Sequence, residues 1–280
     1  MKTVLVLHPG QMGAAIGAQA RRGGVRVLWC PDDRGRATAR RAAEAGFEPA
    51  PDLGQAVAAA DVVVSIVPPA AAEETAERVA AAGVPRIYLE ANAISPRRAE
   101  RIAALFPRQG FVDGCVIGPP PGDRVSVRLY LSGPQDAVEA IGDLFHQSAV
   151  ETVALDETVG GASALKMAYG SYQKTSRALA AVSHALAAHH GVERELLAEA
   201  ERMTPSALAE PGHLPGVASR AWRWAPEMAE VAHALRAANL PADLALAAEE
   251  ILHRWDPDKN ATDLTLDEVL SHLRDPSGED

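Results

Sequence analysis

Short, nearly continuous apolar runs separated by alanine-rich amphipathic stretches organise the first half of the chain. Thr3–Leu7, Val25–Trp29, Asp61–Val67, Arg86–Glu90, Gly110–Val112 and Val125–Leu131 read as strands. Most lack the apolar–polar alternation of a half-exposed sheet, so they are expected to be covered on both faces. Helical periods fill the gaps over Met12–Arg22, Arg36–Ala45, Leu53–Ala59, Ala70–Ala82 and Pro96–Phe106. The last has Ser95 placed as N-cap and Pro96 at the first helical position. Alternation of this kind predicts right-handed βαβ units and a doubly wound parallel sheet.

Near residue 155 the texture changes. Strand signals stop, and helical periods follow over Val159–His190, Arg194–Met203, Pro226–Ala238, Pro241–Trp255 and Leu266–Leu273. The first is the longest, with Leu165, Tyr169, Tyr172, Leu179, Val182 and Leu186 at steps of three, four and seven. A helix that long is expected to run from one domain into the next or to pair with a second subunit. At about 150 residues per domain the 280 residues suit two domains, which we expect at 1–155 (α/β) and 156–280 (all-helical). Asp275–Asp280 reads as a frayed tail.

Composition removes several classes. Hydrophobic residues make up 48% and charged residues 23%, the balance of a soluble globular protein. Acidic residues outnumber basic ones by 37 to 27, which argues against a nucleic-acid binder that must neutralise phosphates. Asp61 and the Pro68-Pro69 pair interrupt the best apolar stretch, so no membrane helix of roughly 18–20 residues is expected. The Val4–Leu7 run is too short for a signal-peptide core. Two cysteines, Cys30 and Cys115, are too few for a disulfide framework or a zinc site, and they point to a reducing cytoplasm. Only four of the 27 basic residues are lysines (Lys2, Lys166, Lys174 and Lys259), which draws attention to the two in mid-chain.

The first strand ends in His8-Pro9-Gly10-Gln11-Met12-Gly13 and opens the first helix. There, exposed backbone N–H groups and the helix dipole suit the pyrophosphate of a dinucleotide. Gly10 allows the backbone to approach the phosphates, and Gly13 allows close helix–strand packing. The first glycine of a G-x-G-x-x-G turn is replaced by His8. After the second strand, Trp29-Cys30-Pro31-Asp32-Asp33-Arg34-Gly35-Arg36 offers both an acid for a ribose hydroxyl and arginines for a 2′-phosphate. Cys30 occupies the strand-end position, and Arg34, Arg36, Arg40 and Arg41 cluster just beyond. We therefore favour NADP(H) over NAD(H), with Arg34 and Arg36 as its contacts.

Further strings carry a resemblance. Asp61-Val62-Val63-Val64-Ser65-Ile66-Val67-Pro68-Pro69 resembles the fourth strand and cofactor-covering turn of the β-hydroxyacid dehydrogenases, the family of 3-hydroxyisobutyrate and 6-phosphogluconate dehydrogenases. His8–Gly13 is similar to their G-x-G-x-M-G, Glu90–Pro96 to their D-x-S-T-x-x-P, and Asp113–Pro119 to D-A-P-V-S-G-G. Gly160–Lys166 stands where they have G-x-G-x-x-x-K, whose lysine is the acid/base. The resemblance covers roughly residues 1–190 and looks closest to a branch with a helical C-terminal domain of unassigned function. It implies a Rossmann domain, a nicotinamide cofactor at Pro9, Gly10, Gln11, Met12, Gly13, Val67, Pro68, Pro69 and Asn92, and a homodimer paired through the helical domain. The family's serine and threonine are Asn92 and Ala93 here, its S-G-G is Ile117-Gly118-Pro119, and the asparagine one turn after the lysine is Gly170. Cofactor and reaction type are thus better supported than any particular hydroxy acid.

Lys166 also stands on its own chemistry. Near a helix start, burial and the positive end of the dipole both lower an ammonium's pKa, and such an amine can give a proton to a carbonyl oxygen or take one from a hydroxyl. Lys166, Tyr169, Gly170, Gln173 and Lys174 fall at helical steps of three and four on one face. Asn92 and a loop formed by Val116, Ile117 and Gly118 are expected to orient the substrate, with Tyr169, Gln173 and Lys174 lining its pocket. The expectation is an NADPH-preferring oxidoreductase acting on a small carbonyl or hydroxy substrate. An imine reductase of similar architecture and a non-catalytic NADPH-binding sensor are the alternatives. Ser65 and Ser163 show no histidine–acid relay, His189-His190 suit the carbonyls at a helix end, and Trp222–Trp224 suit a core or subunit contact.

Overall fold

The computed structural model describes residues 1–203, 210–237, 240 and 242–274; the side chains at 182, 183, 185, 186, 189 and 190 stand outside that description, as do Pro241, Ala238 and the Asp275–Asp280 tail. Two compact units divide the chain, Met1–Met167 and Ala168–Asp280.

The first unit is an eight-stranded sheet. Its strands are β1 (Thr3–Val6), β2 (Arg26–Trp29), β3 (Glu48–Pro49), β4 (Val62–Ser65), β5 (Ile87–Glu90), β6 (Phe111–Ile117), β7 (Val127–Ser132) and β8 (Val150–Ala154), in spatial order 3-2-1-4-5-6-7-8. Helices α1 (Gln11–Arg22), α2 (Arg36–Glu44), α3 (Leu53–Ala59), α4 (Ala72–Ala82), α5 (Pro96–Ala103) and α6 (Gln135–Gly142) connect them. Consecutive residues of β1 enter different cores: Val4 and Val6 pack with Ile16, Val62, Leu89 and Leu129, and Leu5 and Leu7 with Val63, Tyr88, Ile94 and Ile102. Both faces are therefore covered, which is why these strands read as continuous apolar runs.

The expected parallel sheet holds for β1 to β6, but β7 runs antiparallel to β6, with Val116 opposite Leu129. The cause is chain length: residues 118–126 are too few for the crossover that a parallel neighbour requires. The strand expected at Gly110–Val112 is also longer than that, β6 running over Phe111–Ile117. Val116 and Ile117 belong to β6, so the anticipated Val116–Gly118 loop is a strand end that turns at Gly118. There φ is +135° and a Cβ would lie 2.9 Å from Val127.

α7 (Gly161–His190) begins in the sheet unit and continues into the helical one. The helical unit adds α8 (Glu193–Arg202), α9 (Leu214–Ala218), α10 (Ala221–Ala237), α11 (Asp243–His253) and α12 (Leu266–Ser271). Pro226 lies inside α10, where it removes one intrahelical hydrogen bond. Trp255 is fully buried and donates from Nε1 to the Val269 carbonyl at 2.7 Å. Thr265 and Glu268 form a reciprocal capping box at the start of α12. Among the described residues no helix is long and apolar enough to cross a membrane.

Candidate active site

β1 and β4 are neighbours although β2 and β3 follow β1 in sequence, so the strand order reverses at β1. In sheets of this type the crevice at the carboxyl ends beside that reversal takes the ligand. The turn that fills it is tight. Gly10 is the N-cap of α1, its N–H donates to the His8 carbonyl at 2.8 Å, and a Cβ on Gly13 would fall 2.3 Å from the His8 oxygen. Glycine at 13 is thus compulsory, while Pro9 is buried and Gln11 faces solvent.

Two arginines bind the turn's backbone. Arg34 Nη2 donates to the Leu7 carbonyl at 3.0 Å and Arg41 Nε to the Pro9 carbonyl at 3.0 Å. Arg34 also lines a depression with Leu7, Cys30, Asp32, Thr75 and Arg78. Burial and the nearby Arg78 charge lower the Arg34 pKa, and its Nε is buried without a hydrogen-bond partner. Two like charges beside an unmet donor suit an anionic or hydroxyl-bearing group, so the residues present fit the adenosine half of a dinucleotide. Arg36, the other expected contact, is exposed at the start of α2.

A row of polar residues crosses the sheet at the carboxyl ends of β4 and β5. Ser65 is the register neighbour of Glu90, Glu90 of Asp113 and Asp113 of Ser132, and all four are fully buried. Each group in the row fixes a neighbouring segment. Asn92 donates from Nδ2 to Ser65 Oγ (2.9 Å) and accepts the Val67 N–H on Oδ1 (2.5 Å), while its own N–H donates to Glu90 (3.0 Å). Asn92 therefore ties the end of β4 to the Val67-Pro68-Pro69 turn through the two ends of its amide. Asp113 accepts from Gly160 N (3.0 Å), Ser163 N (2.9 Å) and Ser163 Oγ (2.7 Å), and Ser132 Oγ accepts from Ala162 N (2.8 Å). The row thus caps the first turn of α7.

Three residues further on, Lys166 Nζ donates to the Val116 carbonyl at 2.9 Å. Strand β6 grips the same helical turn twice, through Asp113 at Ser163 and through Val116 at Lys166. Burial raises the Glu90 carboxyl to about 8 and the Asp113 carboxyl to about 6, Asp113 being partly compensated by its bonds from Ser163. Burial pushes the Cys115 thiol up to about 12, so it remains protonated although Lys166 is near.

The remaining candidates belong to the helical unit's part of α7. Gln173 Nε2 donates to Tyr169 Oη at 3.2 Å. Lys174 is buried, pairs with Glu227 at 2.7 Å and lies 5.9 Å from the Trp224 ring centroid. Gly170 lies beside it, where a Cβ would meet Lys174 Nζ at 3.6 Å, an ordinary contact. The expectations for His189 and His190 concern side chains outside the described residues. Arg78, Glu90, Asp113 and Ser132 were not anticipated as site residues and Arg41 only as a member of the arginine cluster, although the acid or serine that closes the apolar triplets of β4, β5 and β7 was a readable signal.

A dinucleotide-binding crevice beside a sheet-anchored lysine defines an NAD(P)-dependent oxidoreductase. Residues 6–156 match the NAD binding domain of 6-phosphogluconate dehydrogenase, and the chain belongs to that family. Residues 187–255 match a domain of unknown function, DUF1932. Among solved structures, 3-hydroxyisobutyrate dehydrogenase of Mycobacterium tuberculosis with L-serine is similar at 21% identity and TM-score 0.73, over 98% of this chain and 100% of that one. The 3-hydroxyisobutyrate dehydrogenase of Salmonella typhimurium is similar at 20% identity and TM-score 0.71, over 97% and 99%. A reductive aminase of Aspergillus terreus in complex with NADPH and ethyl levulinate is similar at 17% identity and TM-score 0.56, over 98% and 99%. No curated protein matches the chain.

Proposed function

We propose that the protein is an NADPH-preferring oxidoreductase that interconverts a small carbonyl compound and its alcohol, with Lys166 as general acid and base. The observation that carries this reading is the Lys166 ammonium, held 2.9 Å from the Val116 carbonyl on a helical turn that the buried polar row fixes. When bound, the nicotinamide supplies or accepts hydride at C4. Lys166 then gives a proton to the carbonyl oxygen in reduction and takes it back in oxidation. Asn92 positions the Val67–Pro69 turn, and Arg34 with Arg78 favours a 2′-phosphate over the bare ribose that Asp32 would accept.

Lys166→Met tests the assignment. NADPH binding, followed by its fluorescence, is expected to stay within about twofold, and kcat on a panel of 2- and 3-keto acids to fall by about 10²–10⁴. Wild-type kcat in the variant would sink it. A second reading, imine reduction, is favoured by Ile117, Gly118 and Pro119, which offer no hydroxyl to a substrate carboxylate. Cyclic imines assayed beside the keto acids separate the two, and NADPH binding without turnover of either points to the sensor. Free, buried Cys30 and Cys115 support a reducing compartment, for which we propose the cytoplasm. Exposed apolar residues on α7 support a homodimer.

A further inference from the structure

His8 stands where the family's turn has its first glycine, and its imidazole is built into the turn. A Cβ on Gly10, the N-cap of α1, would lie 3.1 Å from His8 Cδ2 and 3.2 Å from Nε2. The ring thus lies against the residue that caps α1, the helix end at which a dinucleotide's pyrophosphate is read to sit. Its Nδ1 is buried and has no hydrogen-bond partner. The charged groups that face it are two cations, Arg34 from the β2–α2 connection and Arg41 from α2. Both are tied to the carbonyls on either side of it, Leu7 and Pro9. No carboxylate is among the groups acting on the ring.

We propose that His8 is a ligand of the dinucleotide's pyrophosphate and takes up a proton as the dinucleotide binds, supplying a cationic side chain where related turns use bare backbone. The inference rests on the dinucleotide reading of this turn and goes beyond it. In the free protein, burial first and then Arg34 and Arg41 hold the imidazole at about 4, so it is neutral near pH 7. Two phosphate charges beside the ring act in the opposite direction and favour the imidazolium. By linkage, binding must then strengthen as pH falls, by at most about tenfold per pH unit between the free and bound values.

The probe is ADP-ribose, which has the pyrophosphate and no titrating 2′-phosphate. Calorimetric titrations near pH ~6 in two buffers of different ionisation enthalpy count the protons taken up. Wild type is expected to bind proton by proton with its ligand and to gain affinity from pH ~8 to ~5.5. His8→Gln and His8→Gly are expected to bind with less uptake and a flatter profile; the glycine variant restores the family turn and guards against a folding defect. Glu90 and Asp113 titrate in the same window and are common to all three proteins, so the difference between them isolates His8. Equal uptake by wild type and both variants, or binding by wild type with no uptake, overturns the proposal and leaves the dinucleotide reading standing. If wild type does not bind ADP-ribose, NADP⁺ or NAD⁺ at all, the dinucleotide reading fails and this proposal fails with it.

Discussion

In the sheet unit, Ser65, Glu90, Asp113 and Ser132 form one continuous row across β4 to β7, and the row anchors the Val67–Pro69 turn, through Asn92, and the first turn of α7. In the helical unit the buried polar residues Lys174, Thr175, His184 and Asp258 form no such row: the first two are neighbours on α7, His184 stands farther along it, and Asp258 follows α11. The surfaces differ in the opposite sense. Tyr169, Tyr172, Leu179, Val192, Met203, Leu240 and Leu244 are exposed in the helical unit, three of them on α7, whereas the exposed large apolar side chains of the sheet unit (Met1, Val84, Leu105, Val125 and Leu155) lie at its N-terminus or in connections, and its strands fill two cores. A sheet covered on both faces keeps its broad apolar surfaces inside, and here its buried polar residues are gathered into one row. Helices of alanine and leucine leave part of their apolar surface uncovered, which is the usual mark of an interface.

If that contrast is sound, the ion pair of the helical unit is replaceable and the polar row of the sheet unit is not. Lys174→Met alone strands Glu227 opposite a buried methionine, and we expect a loss of about 3 kcal/mol in urea unfolding. Adding Glu227→Leu should return most of it, because an apolar pair of similar volume stabilises about as well as a buried ion pair. A double variant no more stable than the single one breaks the comparison, since the pair would then hold the fold as the polar row does.

Glu90 offers the second test. Full burial raises its carboxyl from 4.5 to about 8, so folding favours the protonated acid. That contribution is complete below pH 4.5 and is lost as pH rises through about 8. Glu90→Gln keeps an acceptor for the Asn92 N–H and cannot ionise. It is expected to match wild type at pH ~5 and to be more stable by about 2 kcal/mol at pH ~9, read as a flatter melting profile. Parallel profiles would mean that the row carries its charge without strain.

The same contrast explains what was legible in the sequence. Strands β1, β2, β4 and β5 announce themselves as apolar triplets because both faces are buried. Strand β3 is only Glu48–Pro49, exposed, and β8 is a half-exposed edge; neither has a periodic signal to find. Helix α6 follows Pro134 and is eight residues long, too short for its period to stand out. In the site, Lys166, Gly10, Gly13 and Asn92 were visible because each sits in a string with a mechanical reason. Arg78 was not, because an arginine on an amphipathic helix usually meets only water, and this exposed one gains its place beside Arg34 only through the fold; Arg41 stood in the arginine cluster, but its bond to the Pro9 carbonyl is a tertiary contact with no signal in the string. Arg36 shows the converse: it is adjacent to Arg34 in the string and yet exposed.

The smallest expected effect on stability tests the surface half of the comparison. Tyr172 and Leu179 are seven residues apart on α7, hence on one face, and are 79% and 60% exposed. Tyr172→Ser removes little that the single chain buries, so its melting temperature is expected to shift by the equivalent of less than about 0.5 kcal/mol. Its dimer should nevertheless dissociate at least about tenfold more readily in light scattering, since an aromatic side chain at an interface core carries well over 1 kcal/mol. A variant that loses stability without changing assembly would make the face part of the fold, and a wild-type protein that is monomeric at micromolar concentration would leave the exposed stripe without the second subunit inferred here. If only the assembly changes, the two units divide the work: the sheet unit folds and binds on its own resources, and the helical unit completes its core by association.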